Sequence, residues 1–110
     1  MTDNEINEAV ARKLGYKLAK IPAFNNETVI DLGRNSGFAD FEIKKLPVYC
    51  HSIEAAWEIL EKFDYAHSHN IIARSPSSNG WHCQLNDGLN YATASEYTAQ
   101  MAICLAFLKL

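Results

Sequence analysis

"GWHCQLNDGLNYATASEYTAQMAICLAFLKL", residues 80–110, is the stretch of this 110-residue chain that decides its fold. Two segments with strand composition, about Gly80–Leu85 and Leu89–Thr93, flank Asn86-Asp87-Gly88, and a three-residue loop that ends in glycine is typical of a type I turn followed by a left-handed residue. This loop predicts a hairpin whose apolar residues share one face: Leu85 opposite Leu89, Cys83 opposite Tyr91, and Trp81 opposite Thr93. The reverse face is mixed and pairs Gln84 with Asn90 and His82 with Ala92.

The hairpin leads into a closing helix over about Ala99–Leu108, capped at Ser95 or Thr98. Residues 101–108 contain no charged or amide side chain. A helix without a polar face is buried on more than one side, so this one is expected in the middle of the domain or in a subunit interface.

The first helix is predicted from about Asp3 to Leu14, because Thr2 and Glu5 have the spacing of a capping box and apolar residues follow at helical intervals. Its opposite face has the composition of a solvated side and carries Asn7, Glu8 and Arg12.

A second helix is predicted from about Ile53 to Asp64, with Ser52 as its N-cap. Steps of three and four residues predict a core face formed by Ile53, Ala56, Trp57 and Leu60. Glu54, Glu58 and Glu61 fall on the solvated face. A strand over about His69–Arg74 follows the helix.

The segment from Tyr16 to Pro47 is interrupted by proline, glycine and asparagine, which indicates a long connection, and only Thr28–Leu32 and Phe38–Ile43 have strand composition. One peripheral hairpin is expected at about 28–43, turning at Arg34–Gly37. The predicted fold is therefore α+β: a single domain over residues 1–110, a small sandwich of a three-stranded antiparallel β-meander packed with three α-helices in the order α-α-β-β-β-α.

The charge distribution restricts the partners. The net charge is −3, and Lys44-Lys45 is the only adjacent basic pair, so no basic stripe exists for duplex nucleic acid. The apolar run Met101–Leu108 is far shorter than the ~20 residues of a membrane span, so no membrane segment is expected. The 3 cysteines lack CxxC spacing and indicate a reduced cytoplasmic protein.

No catalytic, metal or cofactor site is predicted, and the protein is therefore expected not to be an enzyme. Cys50 and His51 are adjacent before a helix, where neighbouring side chains usually point apart, and His82 and Cys83 lie on opposite faces of a strand. The histidines, His51, His67, His69 and His82, do not have the spacing of a zinc site apart from His67-x-His69.

The remaining polar and aromatic side chains suit the binding of a small ligand. Arginine forks hold phosphates, amides read base edges, and aromatic rings stack on bases. The predicted ligand-binding residues are Arg34, Arg74, His82, Gln84, Asn90, Tyr91 and Tyr97. The alternative is that each belongs to a solvated outer sheet face.

Two stretches resemble the phage ABA sandwich domain family. "LPVYCHSIEAAWEIL", residues 46–60, is similar to its Pro-x-Tyr-Ser segment before an Ala-Ala-Trp helix, and residues 80–110 are similar to its tryptophan-containing hairpin and closing helix. The likeness covers Leu46–Leu110 and, loosely, the first helix, whereas Lys17–Lys45 does not match clearly. The resemblance implies a phage or prophage protein acting in the host cytoplasm.

By analogy with Thoeris anti-defence sponges, which are small phage α+β proteins, the resemblance implies a function. The expected protein is a homo-oligomer that binds and sequesters a nucleotide-derived immune messenger, of cyclic ADP-ribose or cyclic oligonucleotide type, without turnover. One alternative is an interaction module that inhibits or bridges a host or phage protein. A small hydrolase or nuclease is the third.

Overall fold

Three helices and six strands form the parts of the chain that the computed structural model describes, which are residues 1–22, 25–34, 41–63, 71–74 and 80–110. In chain order they are α1 (Asp3–Lys13), β1 (Lys17–Ile21), β2 (Glu27–Arg34), β3 (Phe41–Lys45), α2 (Ile53–Phe63), β4 (Ile71–Arg74), β5 (Trp81–Asn86), β6 (Tyr91–Glu96) and α3 (Ala99–Lys109).

The strands form two antiparallel sheets, an N-terminal sheet of order β1-β2-β3 and a C-terminal sheet of order β4-β5-β6. The predicted α+β class and the C-terminal meander are confirmed. The prediction of a single sheet in the order α-α-β-β-β-α is wrong, because the supposed long connection is a second three-stranded sheet. The expected hairpin at about 28–43 corresponds to β2 and β3, and the middle of its turn, residues 35–40, lies outside the described residues.

Turn residues in the N-terminal sheet explain why its strands are hard to recognise. Asn25 and Asn26 connect β1 to β2 in the left-handed conformation, at φ 55° and 59°, which asparagine tolerates. Within β2 the register shifts between Asp31 and Gly33, where Gly33 has φ 90° and its N–H donates to Asp31 Oδ1 at 2.8 Å. The glycine therefore marks a bulge inside a strand rather than the end of one.

The β5–β6 register differs from the predicted one. Asn86 pairs with Tyr91, Leu85 with Ala92, and Cys83 with Ala94, so the loop has four residues, 87–90. It is closed by the Asp87 carboxylate, which accepts the N–H groups of Leu89 at 2.9 Å and Asn90 at 2.7 Å.

The pairing of β6 with β5 is shifted by an odd number of residues relative to the prediction, and such a shift moves every β6 side chain to the opposite face of the sheet. The predicted pairs are therefore wrong: Cys83–Tyr91, Trp81–Thr93, Leu85–Leu89, Gln84–Asn90 and His82–Ala92.

The closing helix α3 lies in the middle of the molecule. It begins after Thr98, whose Oγ1 accepts the Met101 N–H at 3.2 Å, so Thr98 and not Ser95 is the cap. The helix packs against β5 and β6 and also against α1 and α2. Its central residues, which include Ile103 and Phe107, are buried. Of the two roles expected for this helix, the interior one is observed.

Helix α2 turns a different stripe to the core from the predicted one. Ala56 and Ile59 are fully buried, whereas Trp57 is 53% and Ile53 45% exposed. The prediction that Trp57 and Ile53 face the core is wrong, because apolar residues cover most of this helix and periodicity alone leaves more than one choice of face. The Ser52 cap is confirmed, since its Oγ accepts the Ala55 N–H at 3.2 Å.

No helix in the described ranges is long and apolar enough to cross a membrane.

Candidate ligand-binding site

A polar cleft lies between α1 and one end of the N-terminal sheet. The antiparallel register gathers three strand ends there, because Ile21 at the end of β1 pairs with Glu27 at the start of β2, and Lys45 at the end of β3 pairs with Val29. The cleft has a volume of about 410 Å³. Small-molecule sites are usually roughly 300–1,000 Å³, so the cleft is large enough for a compact ligand. It is lined by Asn4, Asn7, Glu8, Lys20, Asn25, Asn26, Glu27, Thr28, Lys45, Leu46 and Val48.

Opposite charges and side-chain amides dominate this lining. Lys20 and Lys45 supply two ammonium groups, and Glu8 and Glu27 supply two carboxylates. Four asparagines add amide donors and acceptors. The Thr28 hydroxyl donates to Glu8 Oε1 at 2.6 Å and so fixes β2 against α1. The cleft therefore presents positively charged ammonium groups, hydrogen-bond donors and hydrogen-bond acceptors to a polar ligand.

Asn7 connects the cleft to the turn before α2. Only 2% of its surface is exposed, and its Oδ1 accepts the backbone N–H of Cys50 at 3.1 Å. The sequence placed Asn7 on a solvated helix face, and that prediction is wrong. A buried amide must be hydrogen bonded, and this bond fixes both α1 and the segment that leads into α2.

The structure brings three of the seven predicted ligand-binding residues to one surface. His82, Gln84 and Tyr91 share the face of the C-terminal sheet that points away from α3. His82 Nδ1 is hydrogen bonded to Ser95 Oγ at 2.9 Å, and Tyr91 is 71% exposed. Cys83 is buried on the other face, which confirms that His82 and Cys83 point apart.

The other four predicted residues lie elsewhere. Arg74 is on the α3 side of the sheet, with its guanidinium 5.5 Å from the Trp81 ring centre. Asn90 is in the β5–β6 loop, and Tyr97, 85% exposed, lies beyond the opposite end of β6. The side chain of Arg34 is outside the described residues, as are His67 and His69. The seven-residue site stays a prediction, and none of its described side chains lines the cleft.

Sequence reasoning missed every residue of the cleft. Two signals were present: the Asn25-Asn26 pair, which is typical of a left-handed turn, and Asn7, which falls at helical spacing with Val10 and Ala11. A polar residue within an apolar stripe indicates a buried hydrogen bond when no cap or helix end explains it.

Glu58 is not an ordinary solvated carboxylate. The Tyr16 hydroxyl donates to both of its oxygens at 3.2 Å. Tyr49 is fully buried, and among the described residues its hydroxyl has no hydrogen-bond partner. Burial, and then the negative charge of Glu58, raise the pKa of Tyr49 above its ordinary value, so this phenol stays protonated.

The three cysteines are free and buried. Burial raises the pKa of Cys83 to about 11 and that of Cys104 to about 12, which suppresses thiolate formation at neutral pH. Burial and the charge of Asp3 also raise the pKa of Cys50.

Comparison with known proteins agrees with this architecture. The model of the phage ABA sandwich domain matches residues 8–108. The chain belongs to the phage ABA sandwich domain family. The resemblance seen in the sequence is thereby confirmed, and the family match also spans Lys17–Lys45, the segment that did not match clearly by inspection.

A solved structure shares the fold of this ABA sandwich protein. It is the crystal structure of a phage protein from Bacillus cereus ATCC 14579, with a TM-score of 0.71 and 22% sequence identity, over 99% of this chain and 86% of that one. No curated protein matches the chain significantly.

Proposed function

We propose that this ABA sandwich protein is a phage anti-defence protein that binds a small nucleotide-derived immune messenger in the cleft and sequesters it without turnover. The observation that supports the proposal is the 410 Å³ cleft, whose lining combines two lysines with four asparagines. Ammonium groups pair with phosphates, and amides pair with base edges and sugar hydroxyls.

The remaining lining residues fit the other parts of a nucleotide. Glu8 and Glu27 can accept hydrogen bonds from ribose hydroxyls, and Leu46 and Val48 offer an apolar surface to one face of a base. The ligand class is cyclic ADP-ribose-type or cyclic oligonucleotide. Sequestration requires only affinity and protein in excess of the messenger, because the free messenger concentration then falls by mass action.

Isothermal titration with cyclic ADP-ribose isomers and cyclic dinucleotides tests binding. Lys45→Ala is expected to weaken binding roughly tenfold or more, since a hydrogen bond to a charged group contributes about 1.5–3 kcal/mol. Lys44→Ala is the matched control, because Lys44 precedes Lys45 on β3, is exposed and does not line the cleft. The ligand recovered after denaturing the complex should be chemically intact.

Three outcomes would contradict the proposal. The first is the absence of heat with the whole panel at micromolar protein. The second is equal affinity of the Lys44→Ala and Lys45→Ala variants. The third is loss of binding in Gln84→Ala with no change in Lys45→Ala, which would move the ligand to the outer face of the C-terminal sheet.

The proposal includes homo-oligomerisation, for which α2 offers a surface. Ile53 and Trp57 lie one helical turn apart and are 45% and 53% exposed. Exposed apolar pairs of this kind are typical of interfaces, where tryptophan often supplies much of the binding energy. Native mass spectrometry should show a multimer that Trp57→Glu reduces to the 12.4 kDa chain.

The same surface favours a second candidate function, a module that binds a host or phage protein. In that case the native particle is a monomer, and Trp57→Glu abolishes the capture of a stoichiometric protein from host lysate. The cleft variants leave that capture unchanged.

A further inference from the structure

Three metal-ligating side chains meet where α1 begins. They are Asp3 from the first turn of α1 and Cys50 and His51 from the turn before α2. The carboxylate oxygen, the thiol sulfur and the ring nitrogen all lie within 4.8 Å of one another. His51 Nε2 and Asp3 Oδ2 are in hydrogen-bond contact.

Backbone hydrogen bonds hold the three residues in this arrangement. The N–H of Cys50 donates to Oδ1 of Asn7 at 3.1 Å, and Asn7 lies one helical turn after Asp3 on α1. The N–H of His51 donates to the carbonyl of Val48 at 2.9 Å, which closes the turn. The Cys50 thiol lies 3.8 Å from the Asp3 carbonyl oxygen, which accepts its hydrogen bond. These bonds fix the backbone of Cys50 and His51 beside the first turn of α1, so the fold itself brings the two segments of the cluster together.

We propose that Asp3, Cys50 and His51 bind one zinc-type divalent metal ion and leave its fourth coordination position open. Thiolate, imidazole and carboxylate are the ligands that zinc takes in proteins, and three protein ligands leave room for water or another molecule. A thiolate also disfavours magnesium and calcium, which prefer oxygen ligands. The charge of the dication is balanced by the thiolate and the carboxylate together.

Access to the cluster is one-sided. The side chains of His51 and Asp3 are 60% and 55% exposed, whereas Cys50 is 1% exposed. An ion would therefore enter from solvent, replace the hydrogen bond between His51 and Asp3, and bind the Cys50 sulfur as its innermost ligand while the thiol releases its proton to solvent. The open position would face solvent.

The site differs from what the sequence predicted. Adjacent Cys50 and His51 were expected to point apart, yet their ligand atoms lie close together, and the third ligand is 47 residues away from Cys50. None of the three lines the polar cleft, so the metal site and the proposed messenger site use different side chains.

Cobalt titration of the reduced full-length protein, followed by zinc competition against a chromophoric chelator, tests the site. The wild type should bind one ion per chain and show a thiolate-to-cobalt charge-transfer band. Cys50→Ser should abolish the band, and His51→Ala and Asp3→Asn should each weaken binding at least tenfold. Cys83→Ala and Glu54→Gln are the matched controls and should bind like the wild type.

Three outcomes would overturn the site: no band with excess cobalt, a band that survives Cys50→Ser, or unchanged affinity in both His51→Ala and Asp3→Asn. Because His51 and Asp3 are exposed, their variants should fold, and circular dichroism checks this. Zinc should raise the Tm of the wild type but not that of His51→Ala. The assay contains no nucleotide, so its failure would leave the proposed function untouched.

Discussion

On α2, replacing the smaller side chain of Ile59 by alanine should destabilise the protein more than replacing the larger side chain of Trp57. Ile59 is fully buried, so Ile59→Ala leaves a cavity and should lower the free energy of unfolding by about 2–5 kcal/mol. Trp57 is 53% exposed, so about half of the roughly 150–250 Å² that an aromatic can bury is removed from water. At ~25 cal/mol per Å², that half is worth at most about 3 kcal/mol.

Trp57→Ala should cost less than this limit, about 1–2 kcal/mol, because alanine keeps part of the contact and a surface position forms no cavity. Urea unfolding followed by far-ultraviolet circular dichroism measures both variants, since loss of Trp57 also alters the fluorescence. Ile59→Val is the control and should cost about 0.5–1.5 kcal/mol. The series is repeated at two protein concentrations, because an interface at Trp57 makes its effect concentration dependent.

The refuting result is a larger loss for Trp57→Ala than for Ile59→Ala at both concentrations. It would mean that Trp57 faces the core, as helical spacing predicts, and that α2 is rotated about its axis relative to α3.

Three further predictions concern the bulge, the hairpin and the thiols. Gly33→Ala should destabilise the protein by about 1–2 kcal/mol in urea, because φ is 90° and no described residue has an atom within 4 Å of the added Cβ, so the cost is one of backbone strain. The N–H groups of Asn90 and Leu89 lower the pKa of Asp87. The charged carboxylate therefore stabilises the hairpin at pH values above its ordinary pKa, and this stabilisation is lost as the pH falls through the lowered pKa. Acid unfolding of Asp87→Asn should therefore depend less on pH than that of the wild type. Cys83 and Cys104 should be alkylated at mildly alkaline pH only after unfolding, as mass spectrometry would show; equal labelling rates in the native and unfolded protein would contradict their burial.

The helix starts could be predicted because capping depends on a few consecutive residues. The side chains of the three predicted caps each accept the expected backbone N–H group; they are Thr2, which forms a capping box with Glu5, and also Ser52 and Thr98. The β5–β6 register could not be predicted in the same way. Loop length alone favoured three residues ending at Gly88, but the two hydrogen bonds to the Asp87 carboxylate stabilise a four-residue loop.

Of the N-terminal sheet, the sequence predicted the β2–β3 hairpin but neither β1 nor a three-stranded sheet, because the residues that interrupt the strand pattern belong to its turns and its bulge. Asn25 and Asn26 make the β1–β2 turn, and Gly33 lies inside β2. The β1 strand also gives a weak signal, since Lys17 and Lys20 are exposed and it forms one edge of the sheet. Edge strands commonly carry lysine, which obscures the apolar alternation by which strands are recognised.

Both candidate sites depend on contacts between residues that are distant in sequence, and Asn7 explains why they escaped detection. Its Oδ1 accepts the N–H of Cys50 across 43 residues, and this one bond joins the lining of the cleft to the turn that carries His51. Leaving that buried N–H without an acceptor would cost about 1–3 kcal/mol, so the position of the turn follows from the identity of residue 7. Helical periodicity ranks residues by polarity and therefore assigns an asparagine to solvent. Only the position of Asn7 beside buried Ile6, Val10 and Ala11 separates it from a solvated residue, and its partner can be identified only once the chain has folded.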